Sequence, residues 1–165
     1  MITARYVAEL LGTCVGCIPY GEPVPGGYGG ITKEDLLHAL GKAAAHVSHC
    51  GPDLVRVRYL HERADLRGRL LSHLLKTRGP GGGTLRPVAV ALAEWDQPDL
   101  CPTCNGGQSN AIRAGMVCPA CRGSSYRPRP ELDEATQYLL GCLRAWEWEV
   151  LSLMAKALDT ESAEA

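Results

Sequence analysis

Phenylalanine is absent from the chain, and aromatic residues of all kinds make up only 5% of its 165 positions. A hydrophobic core must therefore be assembled from Leu, Val and Ala, with Tyr and Trp as its few large pieces. Long apolar runs are missing too. No uncharged stretch approaches the roughly 18 residues that a membrane-spanning helix needs, so no membrane partner is expected. The first residues, Met1 to Tyr6, do not open onto the apolar segment of a secretory leader. No charge sign dominates, since the formal net charge is −1. Catalytic signatures are lacking as well. There is no Gly-x-Ser-x-Gly elbow, no phosphate-binding glycine loop with its lysine and no His-Glu-x-x-His helix. His38, His61 and His73 have no partner at a fixed spacing. The expectation is a protein that is not an enzyme.

Cysteine, by contrast, is plentiful, with eight residues. Four of them form one pattern: Cys101-Pro102-Thr103-Cys104, thirteen intervening residues, then Cys118-Pro119-Ala120-Cys121. Two close pairs joined by a short polar loop are what a tetrahedral structural zinc site is built from. Each pair is followed two positions later by a glycine, Gly106 and Gly123, where the chain must reverse sharply. Glycine permits the left-handed backbone of such a reversal. Pro102 and Pro119 stiffen both turns. The expected cofactor is Zn2+, held by Cys101, Cys104, Cys118 and Cys121. A redox dithiol pair or a disulfide set is the alternative that the same spacing leaves open. Metal use implies a reducing, cytoplasmic compartment. Four cysteines also fill the shell, leaving no open position for catalysis.

Along the chain, residues 4–11 read as a short helix or a strand. The stretch 19–30 carries three Pro and five Gly in twelve residues and reads as a loop or mobile arm. A helix is expected from Thr32, with Asp35 completing a capping box, up to Gly51-Pro52. A second runs from Asp53 to about Tyr59 and on to Lys76. A third covers Thr84 to Trp95, with Pro87 tolerated in its first turn. A last helical region starts near Pro130 and reaches about Leu158. The fold class expected is mainly α, a helical domain with an inserted zinc-binding hairpin of two Cys-x-x-Cys knuckles. Two regions are expected: 1–31 is an N-terminal segment with a Gly/Pro-rich arm, and 32–165 is the helical domain with its insertion at 100–127.

Charge is unevenly spread. Residues 52–86 carry eight Lys/Arg against three Asp/Glu, residues 101–130 four Arg and no acid, and residues 131–165 eight acids against two bases. Arg113, Arg122, Arg127 and Arg129 surround the cysteine unit without nearby acids in the sequence, and guanidinium groups on a rigid hairpin suit phosphate contacts. Ordinary surface arginine is the plainer alternative. Residues 139–146 read either as a helix–turn–helix, with Gly141 at the turn and Arg144 opening the second helix, or as one helix with a tolerated glycine. Glu147 and Glu149 would make that second helix acidic. Cys14 and Cys17, with His46 and Cys50 four apart on one expected helix face, form a second candidate metal site. Their other reading is small core residues and a free thiol pair. Cys142 reads as buried and inert.

The order of features over residues 52–158 is a leucine-rich helical stretch, a helix ending in Trp95, Cys101-x-x-Cys104-x-Gly106, a loop, Cys118-x-x-Cys121-x-Gly123, Tyr126-Arg127 and a helical region with Leu139-Leu140-Gly141 and Trp146. This resembles the lambda Q type of phage late-gene antitermination proteins. Chaperones of the DnaJ type carry similar cysteine units, but four of them, with a His-Pro-Asp that this chain lacks. The resemblance implies a zinc-held insertion in a helical domain with a helix–turn–helix. It implies partners too: double-stranded DNA at a late promoter and bacterial RNA polymerase, in the cytoplasm of a bacterial host, with read-through of terminators as the outcome. Carried over, Cys101, Cys104, Cys118 and Cys121 are the ligands. Gln108 and Ser125 stand where the pattern has a second glycine. The arm at 19–30 is expected to reach polymerase. The alternative function is a zinc-stabilised protein-interaction or chaperone accessory module that binds no nucleic acid.

Overall fold

The computed structural model describes residues 2–12, 30–60, 62, 66–77, 83–97, 101–104, 115–128 and 130–164. The protein is mainly helical. Its helices are α1 (Ala4–Leu11), α2 (Lys33–Ala44), α3 (Gly51–Tyr59), α4 (Leu66–Leu75), α5 (Leu85–Trp95) and α6 (Glu134–Glu164), and the described residues form no strand. Most of the 19–30 arm, with Cys14, Cys17, Arg113, Arg129 and Gly106, lies outside the described residues.

Short polar residues start these helices. Thr3 caps α1, accepting from the Tyr6 N–H at 3.2 Å, which settles residues 4–11 as helix. Thr32 and Asp35 form the expected reciprocal box on α2: the Thr32 N–H donates to Asp35 at 2.7 Å, and the Asp35 N–H donates to the threonine hydroxyl at 3.3 Å. Asp133 caps α6, accepting from the Thr136 N–H at 2.8 Å. Pro87 sits in the first turn of α5, where no intrahelical N–H is needed.

Helix α6 is the axis. Its 31 residues span about 46 Å at about 1.5 Å per residue. Helices α1, α2, α3 and α5 all pack against it, and α4 packs on α3 and α5. The C-terminal half of α6 supplies Val150, Leu151, Met154 and Leu158 to a core shared with α1 and α2. Its N-terminal half supplies Leu139, Leu140 and Leu143 to a second core with α3, α4 and α5, centred on Leu54, Leu70 and Trp95. Each fully buried Leu contributes roughly 1.5–3 kcal/mol of transfer free energy. The chain start is tied to the far end of α6, since the Ile2 N–H donates to Asp159 Oδ1 at 2.7 Å.

A buried carboxylate, Glu147, sits among the helices of the second core. It accepts from Trp95 Nε1 at 2.9 Å and from Arg58 Nη1 at 2.9 Å. The Arg58 guanidinium also lies 5.5 Å from the centroid of the Trp95 ring. A buried charge is tolerated only when it is paired and hydrogen-bonded, and these contacts do both while joining α3, α5 and α6. Next to it, Trp146 stacks on His49 at 5.4 Å and meets the edge of His73 at 5.6 Å. The Gly51 N–H donates to His49 Nδ1 at 3.0 Å, which leaves the ring proton on Nε2, 3.1 Å from Glu149 Oε2.

Two sequence expectations are corrected, and the alternative left open at residues 139–146 is decided. Helix α2 ends at Ala44 rather than at Gly51: the Ala45 and His46 N–H groups bond back to Lys42 and Ala43 carbonyls, tightening the last turn. Gly51-Pro52 starts α3 instead, with Pro52 in its first turn. The stretch 53–76 is two helices, because the Arg56 carbonyl accepts from both Leu60 and Glu62 and closes α3. Residues 139–146 are one helix and hold no helix–turn–helix, as Gly141 lies inside α6. A mid-helix glycine costs about 1 kcal/mol against alanine, and burial of Leu139, Leu140 and Leu143 outweighs that.

Gly51 permits a close approach of α3 to the α6 backbone. A Cβ there would lie 2.7 Å from the Trp146 carbonyl oxygen, from Val150 Cγ2 and from His49 Cε1. Gly51→Ala is expected to destabilise the protein by about 1–3 kcal/mol in urea unfolding, since the backbone carbonyl cannot step aside. An unchanged midpoint would show that α3 and α6 are not in this contact.

Candidate metal centre

The cysteine unit lies between α5 and α6. Its second turn is closed by the Arg122 N–H donating to the Cys118 carbonyl at 2.8 Å and the Ser124 N–H donating to that of Cys121 at 3.0 Å. The Cys101 N–H donates to the Ser125 carbonyl at 3.0 Å, which ties the first pair to the second. Gly123 has φ 85°, as its position after the second pair predicts. Arg122 at φ 51° and Ser125 at φ 64° are left-handed without being glycine. Ser125 is one of the two residues noted above as replacing a second glycine of the Cys-x-x-Cys-x-Gly pattern, and its own backbone is left-handed.

The four cysteines are buried and form a cluster separate from both helical cores. All four sulfurs lie within 4.8 Å of one another, with Cys101 Sγ to Cys118 Sγ at 4.0 Å and Cys104 Sγ to Cys121 Sγ at 3.7 Å. These are not disulfides, whose sulfurs are about 2.0 Å apart; the thiols are free. Burial by itself raises the Cys121 thiol. The Gly123 and Ser125 N–H groups and the thiols of Cys104 and Cys118 together outweigh it, bringing Cys121 down to about 7. Cys101 is lowered in the same way: burial raises it, and the N–H groups of Cys104 and Thr103 with the neighbouring thiols more than compensate. Backbone donors aimed at sulfur favour thiolate, the form that binds metal. Cys101, Cys104, Cys118 and Cys121 are thus placed to hold a metal ion.

Of the second candidate site, Cys14 and Cys17 lie outside the described residues, and the expected pairing of His46 with Cys50 on one helix face is corrected. His46 is exposed in the turn after α2, while Cys50 is buried at the start of α3, so the two share no helix face. Burial, opposed by a backbone hydrogen bond and aided to a smaller extent by the neighbouring Asp53 charge, pushes the Cys50 thiol up to about 12. Among the described residues, the four-cysteine group is the one set of three or more metal-ligating side chains. Cys142, expected to be buried, is half-buried on α6.

The arginines divide. Arg122 is exposed on the left-handed turn. Arg127 has an acid beside it after all: its guanidinium pairs with Glu94 on α5, with the two side chains only 19% and 7% exposed. That pair fastens the chain leaving the cysteine unit to the helix that enters it. Arg144 is half-buried in the middle of α6, where it lines a cleft with Arg58, Tyr59 and Trp148. Farther back, Arg67 pairs with Asp96, and Arg69 with Asp53 at 3.3 Å. Glu94 and Asp96 were not legible as partners, being separated from Arg127 and Arg67 by about a full helix or more of sequence. No helix among the described residues is long and apolar enough to cross a membrane.

Compared with known proteins, the chain matches no protein-family model, no curated protein and no solved structure.

Cys118→Ser is expected to abolish metal retention, read as bound metal per chain by atomic emission, while far-UV circular dichroism stays near wild type. A collapse of helicity would show that the two helical cores depend on the cysteine unit. Cys50 is expected to resist iodoacetamide at pH 9 in the folded protein. With its thiol near 12, the thiolate fraction is roughly 500-fold below that of an ordinary cysteine. Residue-resolved mass spectrometry against a urea-unfolded control checks this, and equal labelling would contradict the buried placement.

Proposed function

We infer that the four sulfurs hold a structural zinc ion and that the protein is a phage transcription antitermination factor. In this reading it binds double-stranded DNA and bacterial RNA polymerase in the host cytoplasm, and lets transcription run through late-gene terminators. The carrying observation is the sulfur cluster. Zn–S bonds of about 2.3 Å in a tetrahedron put sulfurs about 3.8 Å apart; two of the observed separations are 3.7 and 4.0 Å, and all lie within 4.8 Å. The cluster stands between a helix ending in Trp95 and the long α6, with Tyr126-Arg127 leading out. That is the order the resemblance implies. A filled four-thiolate shell supports a structural, non-catalytic metal.

The DNA contact takes a different form from the sequence expectation. With a single continuous helix at 139–146, base reading by a helix–turn–helix drops out of the proposal. What remains is phosphate contact from Arg122, with Arg113 and Arg129 of the same segment as further candidates. Glu147 offers no repulsion to phosphate, since Arg58 neutralises it. One observation favours the second reading, a zinc-stabilised protein-interaction module without nucleic-acid binding: the cysteine unit exposes Met116, Val117 and Tyr126.

Run-off transcription past a terminator, with and without the protein, tests the first reading. Read-through is expected to need the protein and to disappear with Cys118→Ser. Duplex-DNA binding should weaken with salt at a slope near −2.7 if three phosphates are contacted, at about −0.9 each. Termination unchanged by the protein, together with no measurable DNA binding, would leave the second reading standing.

A further inference from the structure

Helix α6 buries one side in the two cores and leaves the other open. Glu134, Tyr138, Gly141, Ala145, Trp148 and Lys156 all point within about 60° of the Ala145 direction, since each residue turns the helix by about 100°. All six are exposed, Tyr138 by 41% and Trp148 by 55%. This face carries a knob and a hole. The knob is the Trp148 indole. The hole is at Gly141, where an added Cβ would meet nothing within 4 Å. Beside that glycine runs a cleft of about 550 Å³ bordered by Leu132, Leu140 and Arg144. Apolar walls with a guanidinium among them are what an indole packs against.

The spacing of these residues identifies the occupant as a second copy of the chain. A two-fold axis beside Ala145 sets another α6 antiparallel to the first. Gly141 lies four residues before Ala145 and Trp148 three after it, and both are turned to the same side of it, by about 40° and 60°. Leu140 and Arg144 are turned further the same way. A two-fold axis keeps that side, so each Trp148 comes to the level of the other copy's Gly141, on the side where the cleft runs. The ends of the face agree. Glu134 and Lys156 stand eleven residues either side of Ala145, about 16 Å along the helix and about 20° from its direction. The same axis therefore sets each glutamate against the other copy's lysine. Glu149, at the edge of the face, is met by His49 at 3.1 Å. One operation thus satisfies two knob–hole contacts and two ion pairs, as a self-complementary patch must. An unrelated partner needs a knob or a hole at this face, not both at matched distances.

We propose that this face of α6 is the contact surface of a symmetric, antiparallel homodimer in which each Trp148 fills the cleft at the other copy's Gly141. One helix from each copy takes part, fewer residues than the roughly 20–30 a side of a standard interface. The dimer therefore forms reversibly with concentration. The inference stands apart from the antitermination reading, since it depends only on the open face of α6.

The test is sedimentation equilibrium of the full-length, metal-loaded protein over a concentration series. A monomer–dimer equilibrium is expected. Trp148→Ala removes the knob and Gly141→Leu fills the hole, and each should weaken the dimer about tenfold or more, as loss of an anchor does. Gly141→Leu keeps the monomer folded, because leucine favours the helix and enters open space; far-UV circular dichroism checks this. Glu134→Lys and Lys156→Glu should each weaken the dimer about fivefold, since two exposed pairs are lost at once. The chain carrying both reversals should regain most of the loss, which a merely structural role for either residue would not produce. A protein that stays monomeric at every concentration would overturn the proposal. So would assembly that continues past the dimer, a dimer indifferent to Trp148→Ala and Gly141→Leu, or charge reversals that do not rescue each other.

Discussion

One helix has to complete two cores. The first half of α6 closes the core of α3, α4 and α5, and its second half closes the core of α1 and α2. With no phenylalanine to span a gap, the helices must come close enough for Leu, Val and Ala to interdigitate. Gly51 is where this matters most, since α3 meets the α6 backbone with no room for a methyl group. The aromatic residues that are present are used at the seam. Trp95, at the end of α5, is hydrogen-bonded to Glu147 of α6, and Trp146, on α6 itself, lies between two histidines.

The cysteine unit follows a different rule. It adds little to either helical core, and its own buried cluster consists of four sulfurs. So small a unit cannot be ordered by apolar burial alone, and metal binding of four thiolates is the usual source of the missing free energy. Its attachment is specific at the exit, where Arg127 reaches Glu94 in a largely buried pair. Removing one partner of such a pair leaves a charge without its counterpart, which costs more than the pair itself contributes.

The uneven charge along the chain changes meaning once the chain is folded. The basic stretch before α5 and the acidic stretch after residue 130 are brought together, so that Arg58 meets Glu147. Arg69 and Arg67 find Asp53 and Asp96. The two pairs whose arginines are exposed, Arg67–Asp96 and Arg69–Asp53, contribute little to stability, about 0–1 kcal/mol each, but all of these pairs reduce the net field that a nucleic acid would meet. Sequence blocks of one sign are therefore a poor guide to the sign of a folded surface.

Local chemistry was readable in the sequence by itself. The Thr32–Asp35 box, Pro87 in a first turn, the helical spacing of leucines and the Cys-x-x-Cys pairs all act within a few residues, so their consequences follow from spacing. The left-handed Gly123 belongs with them. The tertiary structure alone decided what depends on contacts between distant segments. Gly51-Pro52 ends no helix but starts one, because α3 must approach α6. Gly141 breaks nothing, because the leucines around it are buried. Arg127 turns inward, because Glu94 waits on the preceding helix. In each case a local preference of about 1 kcal/mol was outweighed by burial or charge pairing between segments far apart in the chain.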